Sequence, residues 1–78
     1  MTLYQFNALD EMEQAEAVWS GKHIGYREDE LHGILLYSLD GGMYVEAYYH
    51  RKYEVLVKFV AYSNRDELMP FLGYYDNL

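Results

Sequence analysis

Apolar and polar residues alternate along the stretch from Met43 to Tyr62. Side chains of a β-strand point to its two faces in turn, so every second residue shares a face. We call the two sets the odd face and the even face, after their residue numbers. The odd face is apolar or aromatic throughout: Met43, Val45, Ala47, Tyr49, Tyr53, Val55, Val57, Phe59 and Ala61. The even face is mixed, so the pattern predicts a β-hairpin whose odd face is buried.

The polar centre of this stretch, His50 to Lys52, predicts a three-residue loop. With that loop, Val45 pairs with Val57 and Ala47 pairs with Val55. The loop lacks the Asn-Gly pair that favours a tight hairpin turn, so we expect the side-chain pattern to fix the register.

Residues 8–20 show the 3.6-residue period of an amphipathic helix, and Asn7 is a suitable N-cap. The predicted buried face of this helix consists of Ala8, Met12, Ala15 and Trp19. Gly21 is expected to end the helix as a left-handed C-cap. Residues 1–6 are apolar for a chain end, and a short edge strand is one possibility for them.

Two further strands are predicted before the hairpin, at residues 22–27 and 31–39. The second is apolar on both faces, which is typical of a strand in the middle of a sheet. A three-residue loop at 40–42 would pair Tyr37 with Val45, whereas a two-residue Asp-Gly turn would shift that register.

A short C-terminal helix is expected after the hairpin, with Ser63 as N-cap and Leu68, Phe71 and Leu72 on one face. Pro70 would kink this helix or restart it. The fold class is therefore α+β, a single domain over residues 1–78, in the order α-β-β-β-β-α with an antiparallel meander. The first helix, about 20 Å long, is too short to cover four strands, which leaves sheet surface for the last helix or for a second copy.

Composition narrows the function classes. The chain of 78 residues has 13 acidic and 6 basic residues and a net charge of −7, which disfavours nucleic acid and anionic membranes as partners. It has no cysteine, which excludes disulfides and thiolate zinc sites. No apolar run is long enough for a membrane span and no signal segment is recognisable, so we expect a cytoplasmic protein. Ten tyrosines are typical of half-buried faces and interfaces.

The even face of the hairpin is a candidate interaction surface, comprising Tyr44, Glu46, Tyr48, His50, Lys58 and Tyr62. Three readings are open. The face is simply exposed to solvent, with Glu46 paired to Lys58; or it binds a protein; or Glu46, Tyr48 and His50 form the site of a small enzyme, which needs titratable groups within hydrogen-bond reach.

The predicted helix carries an acidic face of Asp10, Glu11, Glu13 and Glu16. Such a run is usually a solvated face, but it also suits an inhibitor or immunity-type protein that docks on a basic partner. The histidines at 23, 32 and 50 lack metal-ligand spacing. We therefore expect no metal, no cofactor and no small-molecule ligand.

The chain resembles a group of short bacterial hypothetical proteins to which no activity is attached. The motifs that carry the resemblance are Tyr4-Gln5-Phe6-Asn7, Leu9-Asp10-Glu11, Trp19, Leu36-Tyr37, Tyr44-Val45-Glu46, Tyr49-His50 and Leu68-Met69-Pro70 with a following aromatic. They span nearly the whole chain. The resemblance implies a self-contained small domain and no particular chemistry.

A small chain without disulfides must gain its stability from packing or from a partner subunit. Together with its many tyrosines and short helix, this favours a binding or adaptor protein that self-associates. Its contact surface would be the even face or the flank of the sheet that the first helix leaves bare.

Overall fold

The structure is a computed structural model that describes residues 1–75. Its elements are α1 (Leu3–Ala8), α2 (Glu11–Trp19), β1 (Lys22–Glu28), β2 (His32–Leu39), β3 (Met43–His50), β4 (Leu56–Tyr62) and α3 (Arg65–Leu72). The strands form one antiparallel sheet in the order β1-β2-β3-β4. The α+β class and the meander are confirmed, but the N-terminal helix is two helices.

Two capping boxes explain why the N-terminal region divides into two helices. The Thr2 side chain accepts from the Gln5 N–H while the Gln5 side chain accepts from the Thr2 N–H, which starts α1. Asp10 and Glu13 make the same reciprocal pair at the start of α2. Each box satisfies two N–H groups that a helix start leaves unpaired. The predicted N-cap at Asn7 and the possible strand over residues 1–6 are therefore wrong.

The buried face of α2 also differs from the predicted one. Val18 is fully buried, whereas Met12 is 73% exposed. Trp19 is half-exposed at the flank of the helix, and its ring packs edge-on against Tyr37 at 5.5 Å and Phe59 at 5.9 Å between centroids. The indole of Trp19 is large enough to contact the sheet from the side of the helix. Placing Trp19 on the buried face therefore predicted the wrong orientation of α2.

Gly21 does not serve as a left-handed cap. The C-cap of α2 is Ser20 in the right-handed region, and the glycines with positive φ are Gly41 and Gly42. A Cβ at Gly21 would lie 2.4 Å from Leu39 Cδ2 and 2.8 Å from a backbone oxygen of β2. Glycine is needed here because the chain crosses close to the sheet.

The register between β2 and β3 is the predicted one for a three-residue loop, with Leu35 opposite Ala47 and Tyr37 opposite Val45. The loop at 40–42 uses positive φ values of 86° at Gly41 and 77° at Gly42. Both conformations are easy for glycine and strained for other residues.

The β3–β4 register is shifted by four residues from the predicted one. Val45 lies opposite Ala61 and Ala47 opposite Phe59, with an irregularity at residues 48 and 49. The connection is longer because the ring of His50 accepts the N–H groups of residues 52 and 53, at 3.2 and 3.3 Å, and organises a wider turn. A shift by an even number keeps the two faces as predicted up to that irregularity. Beyond it Tyr49 lies opposite Leu56. The predicted burial of Tyr53, Val55 and Val57 is wrong, because these side chains are 65%, 55% and 46% exposed.

Both faces of the sheet carry helices. The core of the odd face is Phe6, Val18, Met43 and Val45, under α1 and α2. The core of the even face is Leu36, Leu68 and Tyr75, under α3 and the segment that follows it. The even face is therefore covered as well, so the first of its three interpretations, a face simply exposed to solvent with Glu46 paired to Lys58, is wrong.

The C-terminal helix follows its predicted apolar pattern, with Leu68 buried. Its N-cap is Asn64, whose side chain accepts from the Glu67 N–H at 3.0 Å, and not Ser63. Pro70 lies inside the helix. Residues 76–78 lie outside the described residues.

Candidate functional site

Glu46 occupies the middle of the even face and is completely buried. Its carboxylate accepts hydrogen bonds from Arg27 Nε at 2.9 Å and from the hydroxyls of Tyr62 at 2.7 Å and Tyr48 at 3.3 Å. The Tyr75 hydroxyl also donates to Glu46. We call these five residues the Glu46 cluster. A buried carboxylate is tolerated because charge and hydrogen bonds compensate its lost hydration.

Arg27 supplies the compensating charge from β1. Its side chain is 9% exposed, and its Nη2 donates to the Tyr48 hydroxyl at 2.8 Å. Its Cζ lies 4.8 Å from the centroid of the Phe71 ring. Burial alone would lower the pKa of Arg27, but hydrogen bonds to Glu46 and Tyr75 and the charge of Glu46 raise it above its ordinary value. The guanidinium therefore stays charged.

The tyrosines of the cluster act as hydrogen-bond donors. Burial, followed by the hydrogen bond to Glu46, raises the pKa of Tyr62 and of Tyr75 well above the ordinary value of 10.0. Burial and the charge of Glu46 raise the pKa of Tyr48 as well. Because their pKa values are raised, these tyrosines stay protonated near neutral pH and do not act as general bases there. The cluster thus fastens α3 and Tyr75 to the sheet.

The predicted even-face surface is not one exposed patch. Lys58 is exposed and lies over the ring of Tyr48, with Nζ 4.8 Å from the centroid, and Glu46 is paired with Arg27 in place of Lys58. Tyr44 is half-buried, faces Tyr62 across the strands and packs on the even-face core.

The three residues of the enzyme alternative do not meet in one site. Glu46 and Tyr48 are in contact beneath α3. His50 instead caps the β3–β4 turn, and its ring stacks on Tyr53 at 4.7 Å between centroids.

The odd face is open beside the β1–β2 and β3–β4 turns. Its floor is Gly33, Leu35 and Tyr49, and the half-exposed ring of Tyr26 lies beside Gly33, whose absent Cβ would be 2.9 Å from the Tyr26 hydroxyl. Together with charged residues at the rim, these residues line a depression of about 530 Å³. A side chain at position 33 would require the end of this half-exposed tyrosine to move.

The β1–β2 and β3–β4 turns lie side by side at this end. The Arg51 N–H donates to the Leu31 carbonyl at 2.8 Å. Its side chain donates to the Asp29 carbonyl at 3.1 Å and pairs with Glu28 at 3.2 Å. Apolar side chains surround this joined pair of turns, and we define the open end as Tyr26, Leu31, Gly33, Leu35, Tyr49, Tyr53, Val55, Leu56 and Val57.

The acidic residues of the helix face are all exposed on or next to α2: Asp10, Glu11, Glu13 and Glu16. Two of them, Asp10 and Glu13, already have a structural role as the capping box. This leaves two carboxylates of the face without a role in helix capping.

Within residues 1–75, no group of three or more His, Cys, Asp or Glu side chains is arranged to hold a metal. His32 instead bonds Asp29 at 3.0 Å in the β1–β2 turn. In the same part of the chain, no helix has the length and apolar character needed to span a membrane.

Comparison of the chain with models of protein families, with curated proteins and with solved structures found no match. The functional argument therefore depends on the geometry of this chain.

Proposed function

We propose that the protein is a small protein-binding module that self-associates through the open end. The observation that carries the proposal is the concentration of exposed apolar side chains there. Six of the twelve large apolar side chains that are exposed within residues 1–75 belong to this end, each 40–65% exposed: Tyr26, Leu31, Tyr53, Val55, Leu56 and Val57. Concentrations of exposed apolar side chains are typical of interaction sites.

The chemistry of the open end supports a protein partner. Tyrosine rings such as those of Tyr26 and Tyr53 bury large areas at a small entropic cost and are enriched at interfaces. The depression between Tyr26 and Tyr49 is open and shallow, which suits inserted side chains of a partner.

The rim of the open end favours a second copy as that partner. It carries both signs of charge, with Glu28 and Glu54 beside Arg51 and Lys52. In a two-fold contact the same patch meets itself, so a surface with both signs can pair its charges across the axis. The net charge of −7 opposes association at long range. Salt screens that repulsion, so association should strengthen as ionic strength rises.

Sedimentation velocity between about 5 and 500 µM tests the proposal. We expect the average mass to rise from that of a monomer towards that of a dimer. Tyr53→Ser should weaken association at least tenfold, the effect of losing about 1.4 kcal/mol at an interface. Tyr4→Ser is the matched control, because Tyr4 is 85% exposed on α1 and does not belong to the open end.

A strict monomer over this range would overturn self-association. An equal effect of Tyr53→Ser and Tyr4→Ser would remove the open end as its site.

A further inference from the structure

Tyr75 packs into the even face of the sheet from the segment that follows α3. Its ring is only 6% exposed although it follows α3 and Gly73 in an otherwise exposed stretch. Its hydroxyl donates to Glu46 and accepts from Arg27 Nε at 3.3 Å. Both partners of the hydroxyl belong to the sheet, on β3 and β1.

The walls around this ring also come from the sheet. Gly25 lies against it, and a Cβ there would be 3.0 Å from Tyr75 Cδ1. The register irregularity of β1 falls between His23 and Gly25, so the strand is bent beside the ring. Leu36 packs on the ring from β2. The site matches the shape and polarity of a phenol. Gly25 and Leu36 lie against the ring, and the Glu46–Arg27 pair lies beside the hydroxyl.

The helix before Tyr75 is held by contacts of its own. Leu68, Phe71 and Leu72 pack on the even face, and Gly73 is the C-cap of α3. The N–H groups of Tyr74 and Tyr75 donate to the Phe71 and Leu72 carbonyls at 3.0 and 3.2 Å, which sets the position of the segment after the helix. The phenol ring therefore comes from the segment that follows α3, while the site that receives it is built from all four strands.

We propose that the even face carries a recognition site for a phenol ring, formed by Gly25, Arg27, Leu36, Glu46 and Tyr62, which the chain fills in cis with Tyr75. The segment after α3 is an intramolecular ligand, and a phenol from another source takes its place when that segment is withdrawn. A tethered ring has an effective concentration in the millimolar range or above. A free phenol of millimolar affinity therefore competes poorly with the native chain.

The test uses the full chain with Tyr75→Ala, which removes the occupant and leaves the walls. We expect p-cresol to stabilise this variant saturably. At a concentration ten times its dissociation constant, it should lower the unfolding equilibrium constant about elevenfold. Toluene, which lacks the hydroxyl, should bind at least ten times more weakly, and p-cresol should leave the native chain unchanged.

Two variants separate recognition from simple cavity filling. Leu68→Ala opens an apolar cavity in the same layer, and there p-cresol should have no advantage over toluene. Adding Glu46→Gln to Tyr75→Ala should reduce the preference for p-cresol over toluene, because the charged acceptor is lost. If the Tyr75→Ala variant is unfolded without ligand, circular dichroism measures its folding as p-cresol is added. We then expect p-cresol to restore the β-sheet signal.

A peptide with the sequence of residues 65–75, added to the Tyr75→Ala variant, distinguishes a protein tyrosine from a small phenol as the ligand. Tighter binding of the peptide than of p-cresol supports a tyrosine of a protein segment as the ligand in trans. Binding of p-cresol with no binding of the peptide supports small phenols. The proposal is overturned when neither stabilises the variant, or when toluene equals p-cresol.

Discussion

Replacing Glu46 with Gln tests whether the buried charge pair holds the even face together. The change keeps the shape of the side chain and one acceptor oxygen but removes the negative charge. Arg27, with a side chain only 9% exposed, is then left without its counter-ion. Tyr48, Tyr62 and Tyr75 must share a weaker acceptor.

Breaking a buried ion pair by removing one partner costs about 3–5 kcal/mol, and the retained amide oxygen places this variant at the lower end, about 3 kcal/mol. The total stability of a domain of this size is roughly 4–12 kcal/mol at 0.05–0.15 kcal/mol per residue. The loss is therefore a large fraction of the total, and it should lower Tm by about 12–24 °C.

Urea unfolding followed by circular dichroism measures this loss, with Glu16→Gln as the control. Glu16 is exposed on α2, so its substitution should stay within about 0.5 kcal/mol. Arg27→Met and the double variant complete a double-mutant cycle, in which we expect a coupling free energy of about 2 kcal/mol or more. A loss below about 1 kcal/mol for Glu46→Gln, or a coupling near zero, would refute the reasoning.

Three further predictions concern the fold. The free energy of unfolding should hold below about pH 10 and fall above it, because unfolded tyrosines then lose protons that Tyr62 and Tyr75 keep when folded. The expected slope is at most about 1.4 kcal/mol per pH unit for each tyrosine, and Tyr62→Phe should reduce it in urea titrations across pH. Gly21→Ala should cost about 1–3 kcal/mol through its collision with β2, whereas Gly73→Ala, with open space around it, should be neutral or slightly stabilising in the same assay. Asp10→Ala should cost about 1 kcal/mol by loss of the α2 capping box, read from the shift in urea midpoint.

The sequence was sufficient for the α+β class, for the order of the four strands and for which residues share a face in the middle of the sheet, but not for the division of the N-terminal region into two helices. Period-two alternation encodes the faces directly, and Gly41 and Gly42 encode the β2–β3 loop. The β3–β4 register was not predictable in this way. It depends on the cap that His50 makes to its own turn, and a shift by four residues leaves the alternation unchanged.

The sequence indicated only some members of the Glu46 cluster. Glu46, Tyr48 and Tyr62 stood out on the even face, but Arg27 and Tyr75 lie 19 and 29 residues from Glu46 along the chain. Contacts at that separation follow from the arrangement of the strands and the placement of α3, which local patterns do not encode. The available signals were Gly25 and Arg27 in β1, a strand of mixed polar and apolar residues.

The central claim is that α3 and Tyr75 cover the even face while the open end of the odd face stays accessible. Tyrosine nitration of the dilute native protein, read by peptide mass spectrometry, tests it most directly. Tyr53 should react about as fast as Tyr4, and Tyr75 should be strongly protected, in keeping with exposures of 65%, 85% and 6%. Nitration of Tyr75 at the rate of Tyr4, or protection of Tyr53 in the monomer, would contradict the account.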